Sequence, residues 1–96
     1  MKFEDWTGAK SPEDAEEFRK RFKMAINNSI RRKILVKLLN GKKTVSEISR
    51  DMGIDEKTMK YHIDVLKRGE CVIEKDDALV LTKEGRVLAN LVAEKT

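Results

Sequence analysis

The sequence has few of the residues that most often carry chemistry. Its 96 residues include one cysteine, one histidine and one proline. A single cysteine cannot form a disulfide within the chain, which agrees with a reducing compartment. A zinc or arsenic site needs about three or four nitrogen or sulfur ligands. One histidine and one cysteine are too few for such a site unless a dimer supplies two of each.

Two further absences argue against whole classes of protein. No apolar run reaches the length of a membrane span or a signal peptide, so we expect no membrane association and a cytoplasmic location. There is also no glycine-rich phosphate loop and no nucleophile with a paired base. The acidic pair at Asp76 and Asp77 is explained by a turn without invoking catalysis. The sequence therefore predicts a protein that is not an enzyme.

Charge is abundant and unevenly distributed. Charged residues make up 40% of the chain, and the formal net charge is +4. Residues 18–68 hold 15 basic and five acidic side chains, whereas residues 1–17 hold two and six, and residues 69–96 hold four and six. A concentrated positive field attracts a polyanion, and phosphate neutralisation supplies most non-specific affinity for DNA. The alternative interpretation of the basic block is an ordinary solvated surface.

Residues 45–68 have the pattern of two helices joined by a tight turn. The first helix is short, at residues 45–52, and Gly53 stands where the chain must reverse. Asp55 can then cap a second helix. A spacing of three and four gives that helix one buried stripe, formed by Met59, His62, Ile63 and Leu66. A helix-turn-helix presents its second helix to the major groove in this way, although any helical hairpin shares part of the pattern.

The segments before this unit supply an arm and two helices. Residues 1–10 show no sustained period and are interpreted as an N-terminal arm, while residues 11–96 are interpreted as a single domain. Met24, in the first helix, is expected to fill the core. Thr44 follows the second helix and can pair as a strand of one or two residues.

The segments after this unit predict a wing. Two β-prone runs separated by Asp76 and Asp77 predict a hairpin at residues 71–81, and a final helix is expected at residues 82–95. The predicted fold is mainly α with a small β-hairpin wing. It is a winged helix-turn-helix in the order α-α-β-α-α-β-β-α.

The first and last helices have larger apolar faces than the small central core needs. These faces could pack on each other within one chain or across a two-fold axis. We favour a homodimer through these two helices, because a DNA-reading dimer places its recognition helices about 34 Å apart, one turn of the duplex. Double-stranded DNA is the expected partner.

We predict that the exposed face of the second helix, at residues 55–68, contacts DNA. Lysine can donate to guanine edges or phosphates, and threonine and tyrosine hydroxyls commonly bind phosphate. The main candidates on this helix are Lys57, Thr58, Lys60 and Tyr61. Further phosphate contacts are expected elsewhere, from Arg31, Arg32, Lys42, Lys43, Arg50 and Lys75. The acidic wing tip beside Lys75 argues against wing binding, and an exposed helix face without any ligand is the alternative throughout.

The order of elements and three motifs resemble the ArsR family of bacterial and archaeal repressors. Residues 58–69, TMKYHIDVLKRG, fit the family's recognition helix, which commonly reads T-V-S-x-H-L-x-x-L-x-x-x-G. Residues 28–35, NSIRRKIL, are similar to its R-x-x-I-L-x-x-L helix, and residues 81–85, LTKEG, resemble the junction after the wing. The resemblance implies a winged helix-turn-helix repressor.

The sensing chemistry of that family is not matched by this sequence. Many members bind soft metals or arsenite with a C-x-C pair where residues 46–51 here read SEISRD, and others use histidines on the last helix, which has none here. We therefore expect no cofactor and no metal. A metal or metalloid effector is the alternative, with Cys71 and His62 as candidate ligands. Otherwise His62 is expected to be a core histidine with a hydrogen-bonded ring, and Cys71 a small buried hydrophobe rather than a redox sensor.

Together these observations predict a sequence-specific DNA-binding transcriptional regulator, specifically a dimeric ArsR-like repressor. Two alternatives remain open at this point. One is a winged-helix module that binds another protein, and the other is a non-specific, chromatin-like DNA-binding protein.

Overall fold

The computed structural model describes residues 12–94, and the side chains of all of these except residues 12–14 and 18. Within this range there are five helices and one hairpin: α1 (Pro12–Ile26), α2 (Ser29–Leu38), α3 (Val45–Met52), α4 (Glu56–Arg68), β1 (Val72–Lys75), β2 (Ala78–Leu81) and α5 (Lys83–Glu94). A single β-bridge joins Lys43 to Leu79, so the short first strand lies one residue before Thr44, which was expected to pair but caps α3 instead. The predicted winged helix-turn-helix is confirmed. The predicted arm lies outside the described residues.

Local side-chain caps fix where α2 and α5 begin. The Asn28 side chain accepts hydrogen bonds from the backbone N–H groups of Ile30 and Arg31 at 2.8 and 3.2 Å. The Thr82 hydroxyl accepts from the N–H of Gly85 at 3.0 Å. Each cap satisfies N–H groups that the first helical turn leaves without a partner.

The wing is an antiparallel hairpin closed by two aspartates. Val72 pairs with Leu81, and Lys75 pairs with Ala78. Between the strands, Asp76 and Asp77 have positive φ values of 53° and 63°. Two consecutive positive φ values characterise the type I′ turn, whose twist matches that of the flanking strands. Aspartate tolerates this conformation better than most residues, so the sequence and the turn agree.

Every element contributes to one core. His62 and Ser49 are the polar residues buried with it among the described residues. The apolar members are Phe22, Ala25, Ile34, Leu35, Leu38, Ile48, Met59, Ile63, Leu66, Cys71, Val72, Leu79, Leu81, Leu88 and Ala89. Because α4 packs on α1, α2, α3 and β1, its orientation is fixed from several sides.

The outer helices leave apolar side chains at the surface. Helix α5 packs mainly on α2, whereas α1 packs on α2 and α4. Met24 is 49% exposed, so its expected place in the core is wrong. It lies two residues after the buried Phe22, roughly 200° around the helix, and therefore faces outwards. Leu91 on α5 is also exposed, at 45%.

Candidate nucleic-acid interface

Helix α4 has one buried and one exposed face. The predicted stripe of Met59, His62, Ile63 and Leu66 is buried, together with Val65. The predicted contact residues Lys57, Thr58, Lys60 and Tyr61 are all exposed, and Tyr61 retains 59% of its accessible surface. Two lysines and a large aromatic ring in solvent form a surface that can donate hydrogen bonds to phosphates and base edges.

The first turn of α4 is organised by Asp55 and Thr58. One Asp55 carboxylate oxygen accepts from the Thr58 backbone N–H at 3.0 Å, and the other accepts from the Thr58 hydroxyl at 2.8 Å. These hydrogen bonds hold the pKa of Asp55 below its usual value. The predicted cap is therefore present. Because the Thr58 hydroxyl proton is used within the cap, a phosphate contact by this hydroxyl would require it to rotate. That contact stays a prediction.

Helix α3 is capped at both ends, and it supports α4 from one side. At its start, the Thr44 hydroxyl accepts from the Glu47 N–H at 3.1 Å, and the Glu47 carboxylate accepts from the Thr44 N–H at 2.9 Å. This reciprocal capping box lowers the pKa of Glu47. At its end, Gly53 adopts the left-handed conformation with φ 65°. The buried Ser49 lies between, on the same helix.

Two of the predicted phosphate-binding cations lie at α3. After the hydrogen bonds from Thr44, the positive charges of Lys43 and Arg50 are lesser causes that lower the pKa of Glu47. Lys43 is held by backbone hydrogen bonds to Leu79 of 2.8 and 3.3 Å. Arg50 and Lys42 are exposed. Lys43 thus directly precedes the cap of the helix that braces α4, and Arg50 lies on that helix.

Arg31 and Arg32 are engaged with the protein instead. A guanidinium nitrogen of Arg31 lies 3.4 Å from Nδ1 of His62, on the inner side of α4. Arg32 donates to the main-chain carbonyl of Ile26 at 2.6 Å and ties α2 to the end of α1. Both residues are half-buried. The structure does not bring them to the exposed face of α4, and their predicted phosphate contacts are not tested by these interactions.

The wing carries the remaining candidate, Lys75. This lysine is exposed at the end of β1 and directly precedes the two aspartates of the turn. The neighbouring Glu74 is paired with Lys67 of α4. The wing tip therefore presents one cation beside two anions, which weakens its attraction for phosphate.

The two candidate metal ligands are buried. Cys71 is fully buried, and burial raises the pKa of its thiol to about 11. His62 is 7% exposed, with its ring beside Arg31, so the expectation of a core histidine with a hydrogen-bonded ring fits. Within residues 12–94, no group of three or more histidine, cysteine, aspartate or glutamate side chains is placed to hold a metal ion.

Sequence reasoning missed features that depend on distant parts of the chain. The Ser46 hydroxyl donates to Glu56 at 3.2 Å and so links α3 to α4 across the turn. A cleft of about 470 Å³ lies between α2 and α5, lined by Ser29, Arg32, Lys33, Val36, Lys37 and Val92. The basic residues of α2 are visible in the sequence, but their position opposite Val92 is set by tertiary packing.

A comparison with protein families matches residues 19–95 to the Methanogenesis regulatory protein FilR1, N-terminal domain. The chain belongs to this family. The FilR1 N-terminal domain family is one of winged-helix regulators, so the chain is a winged helix-turn-helix transcriptional regulator domain, and the predicted regulator class is confirmed. A comparison with curated proteins gives no match.

Two solved structures share the fold of this FilR1-family chain. HlyU from Vibrio cholerae N16961 is 18% identical, with a TM-score of 0.73, and the match covers 88% of this chain and 97% of HlyU. At this identity the likeness shows the fold alone. The other structure is the homodimeric winged helix-turn-helix DNA-binding domain (fragment 1–100) of Mb0332 from Mycobacterium bovis, described as a possible ArsR-family transcriptional regulator. It is 25% identical, with a TM-score of 0.68, over 91% of this chain and 84% of that domain.

These comparisons bear on the class of the protein. The family description is of a regulatory protein, and the Mycobacterium bovis domain is described as DNA-binding, so neither points to an enzyme. Within residues 12–94 of the FilR1-family chain, no helix has the length and apolar character that crossing a membrane requires.

Proposed function

We propose that this FilR1-family domain is a sequence-specific DNA-binding repressor that acts as a homodimer. One observation carries the proposal: α4 buries one face completely while Lys57, Lys60 and Tyr61 stay in solvent on the other. A helix held this firmly, with its cationic side free, has the form of a recognition helix. The resemblance to ArsR repressors and the DNA-binding description of the Mycobacterium bovis domain support the same reading.

In the proposed mechanism α4 enters the major groove. Lys57 and Lys60 donate to base edges or phosphates, while Lys43 and Arg50 at α3 neutralise phosphates of the flanking backbone. The protein represses because the occupied site excludes the polymerase. Lys42, Thr58, Arg31, Arg32 and Lys75 remain further candidate contacts.

The proposed dimer joins α1 and α5 across a two-fold axis. Met24 and Leu91 leave exposed apolar surface on these two helices, and the Mycobacterium bovis domain of similar fold is homodimeric. A two-fold dimer would bind a pseudo-palindrome with half-sites about 10 base pairs apart.

We also infer that DNA binding needs no metal ion. Cys71 is buried with a raised pKa, and Nδ1 of His62 faces a guanidinium, so both candidate ligands are poorly disposed towards a metal. Binding measured with a chelator present should equal binding without it, and a loss of affinity in the chelator would overturn this inference.

Selection from a pool of randomised duplexes tests the proposed function and its alternatives together. The proposal predicts enrichment of a pseudo-palindrome with half-sites spaced by about one helical turn. Binding without an enriched sequence would favour the chromatin-like alternative. No DNA recovered at low salt would overturn the proposal and favour a module that binds another protein.

A further inference from the structure

The cleft between α2 and α5 is separate from the exposed face of α4, and of its lining residues Arg32 alone is also a candidate DNA contact. Its volume of about 470 Å³ falls within the usual range of about 300–1,000 Å³ for small-molecule sites. Val36 of α2 and Val92 of α5 give it an apolar wall from each helix. None of its lining residues belongs to α3, α4 or the wing.

The charged residues that line the cleft are all cationic and favour a bound negative charge. Arg32, Lys33 and Lys37 line it, and none of the lining residues is acidic. Among the residues that the structure describes, no ion pair within 4.0 Å is found for these three cations. One Arg32 nitrogen is held by the Ile26 carbonyl, which fixes the guanidinium while leaving further N–H donors.

The side chains, rather than the start of α2, provide this preference. The Asn28 side chain already accepts from the first free N–H groups of α2, those of Ile30 and Arg31. An anion in the cleft would therefore depend on the guanidinium and the two ammonium groups. This arrangement places three positive charges beside an apolar wall.

We propose that the cleft binds a soluble amphipathic organic anion, a small molecule with one carboxylate and an apolar body. The apolar body packs between Val36 and Val92, and the carboxylate lies against Arg32, Lys33 and Lys37. Charge complementarity and the size of the cleft select this class over a neutral hydrophobe or a cation. The proposal concerns binding alone and does not depend on whether α4 binds DNA.

Octanoate is a suitable probe, with 1-octanol as a neutral partner of the same chain length. In a titration of the isotope-labelled full chain followed by amide NMR, octanoate should give saturable shifts centred on residues 29–37 and 92, with a Kd of about 1 mM or tighter. Octanol should bind about tenfold more weakly, because it cannot pair with the cations. Equal binding of octanol, or shifts that spread over all basic surfaces without saturating, would overturn the proposal.

Two charge-reversed variants separate the cleft from the general positive charge. Lys33→Glu/Lys37→Glu should weaken octanoate binding about tenfold or more. Lys20→Glu/Lys23→Glu makes the same change in net charge on exposed positions of α1 and should leave binding unchanged. The spectrum of each variant reports whether it is folded. An equal loss of octanoate affinity in both variants would contradict binding in the cleft. Octanoate binding that disappears when sedimentation shows a dimer would also contradict it, since a second copy of the chain would then cover the cleft.

Discussion

Arg31 and His62 meet across the interface between α2 and α4, with Nη1 of the arginine 3.4 Å from Nδ1 of the imidazole. Arginine is always a donor, so a hydrogen bond at this contact requires Nδ1 to be the unprotonated ring nitrogen, with the proton on Nε2. The neutral form of the single histidine thus fits this contact between α2 and α4, and protonation of Nδ1 would place two cations face to face.

This contact predicts a dependence of stability on pH. Burial, and then the charge of Arg31, lower the pKa of His62 below 6.5. Between the folded pKa and 6.5 the unfolded chain binds more protons than the folded chain, so the free energy of unfolding should fall as the pH is lowered through this window. Above pH 6.5 the histidine is neutral in both states and this loss of stability disappears. Urea unfolding at pH 7.5 and 5.5 measures the effect, which His62→Gln should reduce.

The pKa of His62 can also be measured directly, because the chain has no other histidine. An NMR titration should give a value below 6.5, and Arg31→Met should raise it part of the way, since burial is the larger cause. Arg50→Met removes an exposed cation on α3 and serves as the control with no expected change. A wild-type pKa at or above 6.5 would contradict the account.

A second prediction concerns Gly85 in the first turn of α5. A Cβ atom at this position would lie 1.9 Å from the carbonyl oxygen of Cys71 and 2.8 Å from its carbonyl carbon. The same oxygen accepts from the Thr82 N–H at 2.9 Å, so it cannot move freely. Alanine normally stabilises a helix relative to glycine, but here the clash should dominate.

Gly85→Ala should therefore lower the free energy of unfolding by about 1–3 kcal/mol. Asn90→Ala, at an exposed position of the same helix, is the matched control and should change it by less than about 0.5 kcal/mol. Urea unfolding of the three proteins compares them. A Gly85→Ala variant as stable as the wild type would show that α5 does not approach Cys71 this closely.

A third prediction concerns the reactivity of Cys71. Its thiol is fully buried, and burial raises its pKa to about 11, so very little thiolate is available at pH 8. Reaction with the disulfide reagent DTNB should be at least about a hundredfold slower in the native protein than in urea, because only opened molecules react. A native rate close to the unfolded rate would instead favour the alternative in which Cys71 is a redox sensor.

The parts of the fold that sequence could predict are those specified locally. Asp55 and Gly53 act within a few residues of themselves, so a helix cap and a chain reversal follow from residue type. The burial of Met59 and His62 follows from the helical period. The exposed cationic face of α4 is the complement of that stripe and was predicted for the same reason.

The parts that sequence could not predict depend on contacts between distant segments. Arg31 and Arg32 are adjacent and chemically alike, yet one reaches His62 and the other the carbonyl of Ile26. Only the packing of α1, α2 and α4 decides this. For the same reason the sequence could not predict that α5 at Gly85 lies too close to the Cys71 carbonyl for a Cβ atom, because Cys71 is fourteen residues earlier in the chain.

Contact between α4 and DNA is tested most directly by duplex binding, measured by fluorescence anisotropy over a series of salt concentrations. The proteins are the wild type, Lys57→Ala/Lys60→Ala, and Lys20→Ala/Lys23→Ala as a control that removes the same charge from exposed positions of α1. We expect a steep log–log slope for the wild type and the control, and a slope smaller by about 1.8, equivalent to two phosphate contacts, for the α4 variant. No binding at low salt, or an α4 variant with the wild-type slope and affinity, would contradict contact between α4 and DNA.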